Sequence, residues 1–139
     1  MGTIGLVGPV PLERRVPAKA EYIAPVRREV VAYAQDHDVV DPHGVALAVS
    51  EAMSNAVQHA YLDESDTGEV HVHAVARADD GLVLTVSDEG SGMRPRPDSP
   101  GMGVGLPLVA TLAESVEVEG RPGGGTCVVM VFARNVGQS

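Results

Sequence analysis

A chain of 139 residues is the size of one domain and long enough to bury a core of its own. Its formal net charge of −9, with nine Arg and one Lys scattered along it, excludes the basic stripe of a nucleic-acid binder and disfavours anionic membranes. One Cys excludes an internal disulfide, and the absence of a signal-peptide pattern or of an apolar run near the roughly 20 residues of a membrane span leads us to expect a cytoplasmic protein.

Residues 1–10 are Gly-rich and are expected to form an arm, 11–134 one domain, and 135–139 a polar tail. PLERRVP, 11–17, predicts a first strand bounded by prolines. A helix is expected from about Ala18 to Asp36, with Ile23, Val26, Val30 and Tyr33 as its apolar stripe. Pro25 lies inside that pattern, so this helix either starts late or kinks. Asp41-Pro42 signals a new helix start, with Asp as N-cap and Pro at the first helical position. That helix runs to about Tyr61, with Val45, Val49, Ala52, Met53, Ala56, Val57 and Ala60 at helical spacing.

LDESDTG reads as a polar turn. From Gly68 to Arg77 the chain alternates, with Val70, Val72, Ala74 and Ala76 on one face and His71, His73 and Val75 on the other. Asp79-Asp80-Gly81 predicts a hairpin turn into a return strand, Leu82 to Ser87. A glycine-bearing loop follows, then a helix beginning near Leu106 with Pro107 in its first turn. Ser115 to Glu119 predicts a strand with Val116 and Val118 inward, and Thr126 to Ala133 an apolar strand inside the sheet. Three helices and hairpins of antiparallel strands define an α+β domain, a two-layer α/β sandwich with helices on one face of a mixed, mostly antiparallel sheet.

Several chemistries are excluded by motif. There is no GxxxxGK[ST], no GxGxxG after a first strand and no GxSxG elbow. His59, His71 and His73 could be drawn into a zinc site, but solvent-facing histidines explain them better. What remains is a polar stripe and three glycine clusters. Glu51 and Asn55 are four apart and share a helix face, widened by Ser54, Gln58 and His59. An amide oxygen can ligate a hard cation, and a carboxylate can take a proton. Gly90 with Gly92, Gly101 with Gly103 and Gly105, and Gly123 to Gly125 each flank a strand or helix end.

The order ExxxN, DxGxG, GxGxG, GGT resembles the Bergerat-fold (GHKL) ATPases, the superfamily of gyrase and the histidine kinases. Within it the chain is similar to the small anti-sigma factor serine/threonine protein kinases. The segments that carry the resemblance are Glu51 to Tyr61, Asp88-Glu-Gly90-Ser-Gly92-Met93, Gly101-Met-Gly103-Val104-Gly105-Leu106 and Gly123-Gly-Gly125-Thr126. Val16-Pro17-Ala18 before a helix also looks like the start of that family, so the likeness spans about residues 11–134.

The resemblance implies an ATP site. Asp88 would accept the adenine amino group's hydrogen bond, with Gly92 allowing close approach and Thr126 supporting through its hydroxyl. Gly101, Gly103 and Gly105 would offer backbone N–H groups to the phosphates at a helix start. Asn55 would ligate Mg2+, and Glu51 would accept a proton from the attacking hydroxyl. His59, Ala60, Gly90, Met93, Val104 and Leu106 would complete the nucleotide contacts. The loop MRPRPDSP would be the lid, with Arg94 and Arg96 free to reach phosphate or a partner. Its shortness, and Pro107 after the glycines, depart from the commonest pattern of the family. The resemblance further implies a sigma factor and a STAS-type anti-anti-sigma protein as partners, and a homodimer. A nucleotide-dependent binding module and a histidine-kinase-like ATPase domain are the alternatives; whether Glu51 serves a serine or water is left open.

Overall fold

A computed structural model describes residues 10–63, 68–77, 81–88, 112–120 and 125–135, and for 59–63 the helix backbone only. The elements are β1 (Leu12–Pro17), a 3-10 turn (Ala20–Tyr22), α1 (Ile23–Asp36), α2 (Pro42–Asp63), β2 (Glu69–Arg77), β3 (Gly81–Asp88), β4 (Ser115–Gly120) and β5 (Thr126–Phe132). The strands form one sheet in the order β1-β2-β3-β5-β4, and each pairing within it is antiparallel.

Pleating sorts the strand residues to two faces. On one face Val70, Val72, Ala74 and Ala76 lie beside Leu82, Leu84 and Val86, and these beside Val128, Met130 and Phe132. All of them are buried, because both helices pack on this face. Val26, Val30 and Ala34 of α1 and Val45, Ala48, Val49, Ala52, Met53 and Ala56 of α2 close the core from above. The helix layer divides the sheet: α1 lies over β1 and β2, and α2 over β3 with contacts to β2 and β5. On the opposite face no described helix covers the strands.

The start of α1 differs from the expected Ala18. Residues 20–22 form a 3-10 turn, and the α-helix begins at Ile23. Pro25 thereby falls in the first turn, where its missing N–H is not needed, so it does not kink the helix. At the second helix the expected cap is present. The Asp41 carboxylate accepts the Gly44 N–H at 3.0 Å, and the Asp41 carbonyl accepts the first helical bond, from Val45. Gly81 has φ +80°, and a Cβ there would run into the Phe132 carbonyl oxygen, so only glycine suits the position. Val116 packs against the core, but Val118, expected inward, is 37% exposed because it sits on the edge strand β4 beyond the helix cover. The expected helix near residue 106 lies outside the described residues except for its end, where Leu112 is helical and packs on the core.

Long-range hydrogen bonds pin the edges. The Tyr33 hydroxyl accepts the Ala76 N–H at 3.1 Å and donates to the Val10 carbonyl at 2.9 Å, holding α1 to the end of β2. Arg134 donates to the His37 carbonyl at 2.7 Å and to the Arg77 carbonyl at 2.6 Å, tying the α1–α2 connection to the end of β5.

Candidate functional site

The candidate residues converge from two layers. Asp88 ends β3 and Thr126 begins β5. Ser87 pairs with Cys127, so one residue further along Asp88 and Thr126 end their strands side by side. By alternation both face the helices, in line with Val86 and Val128, and Asp88 is flanked on its other side by Val70. They are the two buried polar side chains among the described residues, 6% and 5% exposed. A carboxylate and a hydroxyl at the rim of an otherwise aliphatic surface are costly to bury without hydrogen-bond partners. The Thr126 hydroxyl has none among the described residues. A buried polar atom without a partner is rare and asks for an explanation.

Above them, successive residues of α2 turn by about 100°. Its buried line runs through Val49, Ala52, Met53 and Ala56. Glu51 and Asn55 lie on one flank of that line and Ser50 on the other. The Arg27 guanidinium of α1 reaches Ser50 Oγ at 3.5 Å, so α1 occupies the Ser50 flank. Glu51 and Asn55 therefore face away from α1, over the half of the sheet that holds β5 and β4. Both are half-buried. The polar stripe and the Asp88–Thr126 pair thus border the same side of the α2–sheet junction. The two layers thus offer an acceptor and a hydroxyl buried at the sheet end and an amide oxygen and a carboxylate on the helix flank.

Other expected site residues fall elsewhere. Gly90, Gly92, Met93, Arg94, Arg96, Gly101, Gly103, Val104, Gly105, Leu106 and Pro107 lie outside the described residues, as do Gly123, Gly124 and the side chains of His59 and Ala60. Gly125 is described: it is buried with φ +94°, immediately before Thr126, so the backbone enters β5 in a conformation that favours glycine. His71 and His73 sit half-buried on the helix-free sheet face, His73 3.7 Å from the Glu13 carboxylate. No group of three or more potential metal-binding side chains occurs among the described residues. Sequence reasoning missed Arg27. Its contact with Ser50 spans two helices and carries no motif, although its departure from the apolar stripe of α1 is visible.

The fold is one shared by a recognisable class of proteins. A family model for the histidine kinase-like ATPase domain matches residues 16–132, and the chain belongs to that family. Particular relatives narrow the class. The chain is 34% identical over 125 residues to the serine-protein kinase RsbW of Bacillus licheniformis, covering 78% of this chain and 77% of that protein. RsbW of Bacillus velezensis is 34% identical over 129 residues, with 81% and 79% covered, and that of Bacillus mycoides 30% identical over 124 residues, with 77% and 76% covered. Among solved structures, a mycobacterial sensor histidine kinase, MprB, superposes with a TM-score of 0.51 at 20% identity, covering 87% of this chain and 99% of that one; this likeness speaks for the fold alone. No described helix is long and apolar enough to cross a membrane.

Proposed function

We propose that the chain is an ATP-dependent protein serine kinase and anti-sigma factor. It binds a sigma factor and phosphorylates a serine of a STAS-type anti-anti-sigma partner. The observation that carries the ATP site is the pair Asp88 and Thr126 at adjacent strand ends: a buried carboxylate beside a buried hydroxyl that has no partner among the described residues. The serine kinase relatives, matched over more than three quarters of the chain, support the reaction type.

In this reading the Asp88 carboxylate accepts the adenine amino group's hydrogen bond, and the Thr126 hydroxyl finds its partner on the base or on a bridging water. Depth at a low-dielectric strand end makes both bonds selective, since a base lacking the amino donor would desolvate the Asp88 carboxylate without returning a hydrogen bond to it. The side-chain oxygen of Asn55 is the Mg2+ ligand that α2 presents, and the metal, when bound, offsets phosphate charge that this acidic chain has few cations to meet. Glu51 lies one turn earlier on the same flank. It takes the proton of the incoming serine hydroxyl as that oxygen bonds to the γ-phosphorus and the bond to the β–γ bridging oxygen breaks, releasing ADP. Gly101, Gly103 and Gly105 supply backbone donors to the phosphates, with Gly90, Gly92, Met93, His59, Ala60, Val104 and Leu106 lining the nucleotide. The protein acts in the cytoplasm as a homodimer, which light scattering with and without ATP tests.

The decisive experiment incubates the chain with γ-labelled ATP-Mg2+ and candidate partner proteins encoded beside it. Label on a partner serine is the expected result. Partner affinity that follows nucleotide state with no labelled serine would instead establish a non-catalytic binding module.

A further inference from the structure

The outer surface of α2 runs from the Arg27 contact at Ser50, across Ser54, to Glu51. Both serines are half-buried, so a partner backbone can approach this crest closely. Leu47, one turn before Ser50, is 38% exposed and offers an apolar foothold. On the α1 side stand Arg27 and Arg28. Arg27 bonds Ser50 rather than a carboxylate, and Arg28 is exposed. Neither makes an ion pair among the described residues, whereas Arg14 is held by Glu29 at 2.6 Å and Arg15 approaches Glu69 at 3.9 Å. Two adjacent arginines without acidic partners are a local reversal of sign in a chain of net charge −9. That net charge argues against nucleic acid or an anionic membrane as their counterpart and leaves an acidic protein segment.

We propose that this crest docks an acidic segment of the phosphoacceptor protein, with a carboxylate on Arg27 and Arg28 and the acceptor serine at Glu51. The inference rests on the kinase reading above and names the substrate class of that site. It also sets a spacing. Arg27 reaches α2 on its Ser50 flank and Glu51 projects from the other flank of the same helix, so their charged ends lie about 10 Å apart, the width of a helix with its side chains. An extended strand advances about 3.3 Å per residue, so the carboxylate belongs about three residues from the serine.

The test uses the full chain with a non-hydrolysable ATP analogue and Mg2+, so docking is read without transfer. Four fluorescent serine peptides in a neutral background are compared by anisotropy: one with Asp-Glu three residues from the serine, one with Asn-Gln there, one with Asp-Glu about eight residues away, and one without serine. Two partly exposed ion pairs should favour the first over the second about fivefold at low ionic strength, an advantage that salt erodes. The distant acidic pair should behave like the neutral peptide when the serine-proximal contacts are held. Arg27→Glu with Arg28→Glu should erase or invert the preference while ATP affinity and the melting temperature stay within error. Should the double variant misfold, Arg28→Glu alone, at an exposed position, should still halve the preference. Equal affinity for acidic and neutral peptides, or a preference untouched by charge reversal, overturns the proposal. Intact docking with no phosphate transfer to the acidic peptide would count against Glu51 and the kinase reading, not against this surface.

Discussion

Replacing Thr126 by Val separates a structural hydroxyl from a ligand-binding one, because the two roles predict opposite signs. The side chain is 5% exposed, and its Oγ has no hydrogen-bond partner among the described residues. Burying such a hydroxyl costs about 1–3 kcal/mol. Valine fills nearly the same space and suits a strand at least as well. The nucleotide-free variant should therefore be more stable by about 1 kcal/mol, seen as a rise of roughly 3–5 °C for a domain of this size. ATP affinity should move the other way. Losing a neutral hydrogen bond of about 0.5–1.5 kcal/mol weakens binding by roughly two- to tenfold. Denaturant unfolding without nucleotide and calorimetric titration with ATP-Mg2+ read the two effects separately. A variant that is destabilised, with unchanged ATP affinity, would show that Oγ serves the fold and not the nucleotide.

Three further changes probe the rest of the account. Glu51→Gln should lower the rate of phosphate transfer by about 100-fold or more, as expected for loss of a general base, while ATP affinity changes less than about threefold; loss of ATP binding would reassign the residue. Tyr33→Phe removes the acceptor of the Ala76 N–H and the donor to Val10, so unfolding free energy should fall by about 1–2 kcal/mol with the transfer rate unaltered. Asp41→Ala deletes the bond to the Gly44 N–H and should cost about 1 kcal/mol in the same measurement, since the N-cap of α2 is lost.

Much of this architecture was legible because local chemistry and tertiary context agree. Asp41-Pro42 caps α2 by its own side chain, and the alternation from Val70 to Ala76 matches the buried face residue for residue. Where the two diverge, the cause lies far along the chain. The apolar stripe of α1 does not reveal that residues 20–22 prefer a 3-10 turn, and Val118 obeys alternation yet lies where no helix covers it. The site was legible in parts. Glu51 and Asn55 share a flank by helical spacing alone. That Asp88 and Thr126 end adjacent strands depends on the β3–β5 register, which only the assembled sheet fixes. The arginine contacts were invisible for the same reason: Arg27 meets Ser50 across two helices, and Arg134 meets His37 and Arg77, 97 and 57 residues away along the chain.

The central claim is that the strand ends beneath α2 hold a nucleotide through Asp88. Calorimetric titration of ATP-Mg2+ into the wild-type chain and into Asp88→Asn tests it most directly. A hydrogen bond to a buried carboxylate is worth about 1.5–3 kcal/mol, so the variant should bind at least about tenfold more weakly. No binding by the wild type at millimolar ATP, or equal affinity in both proteins, would contradict the account.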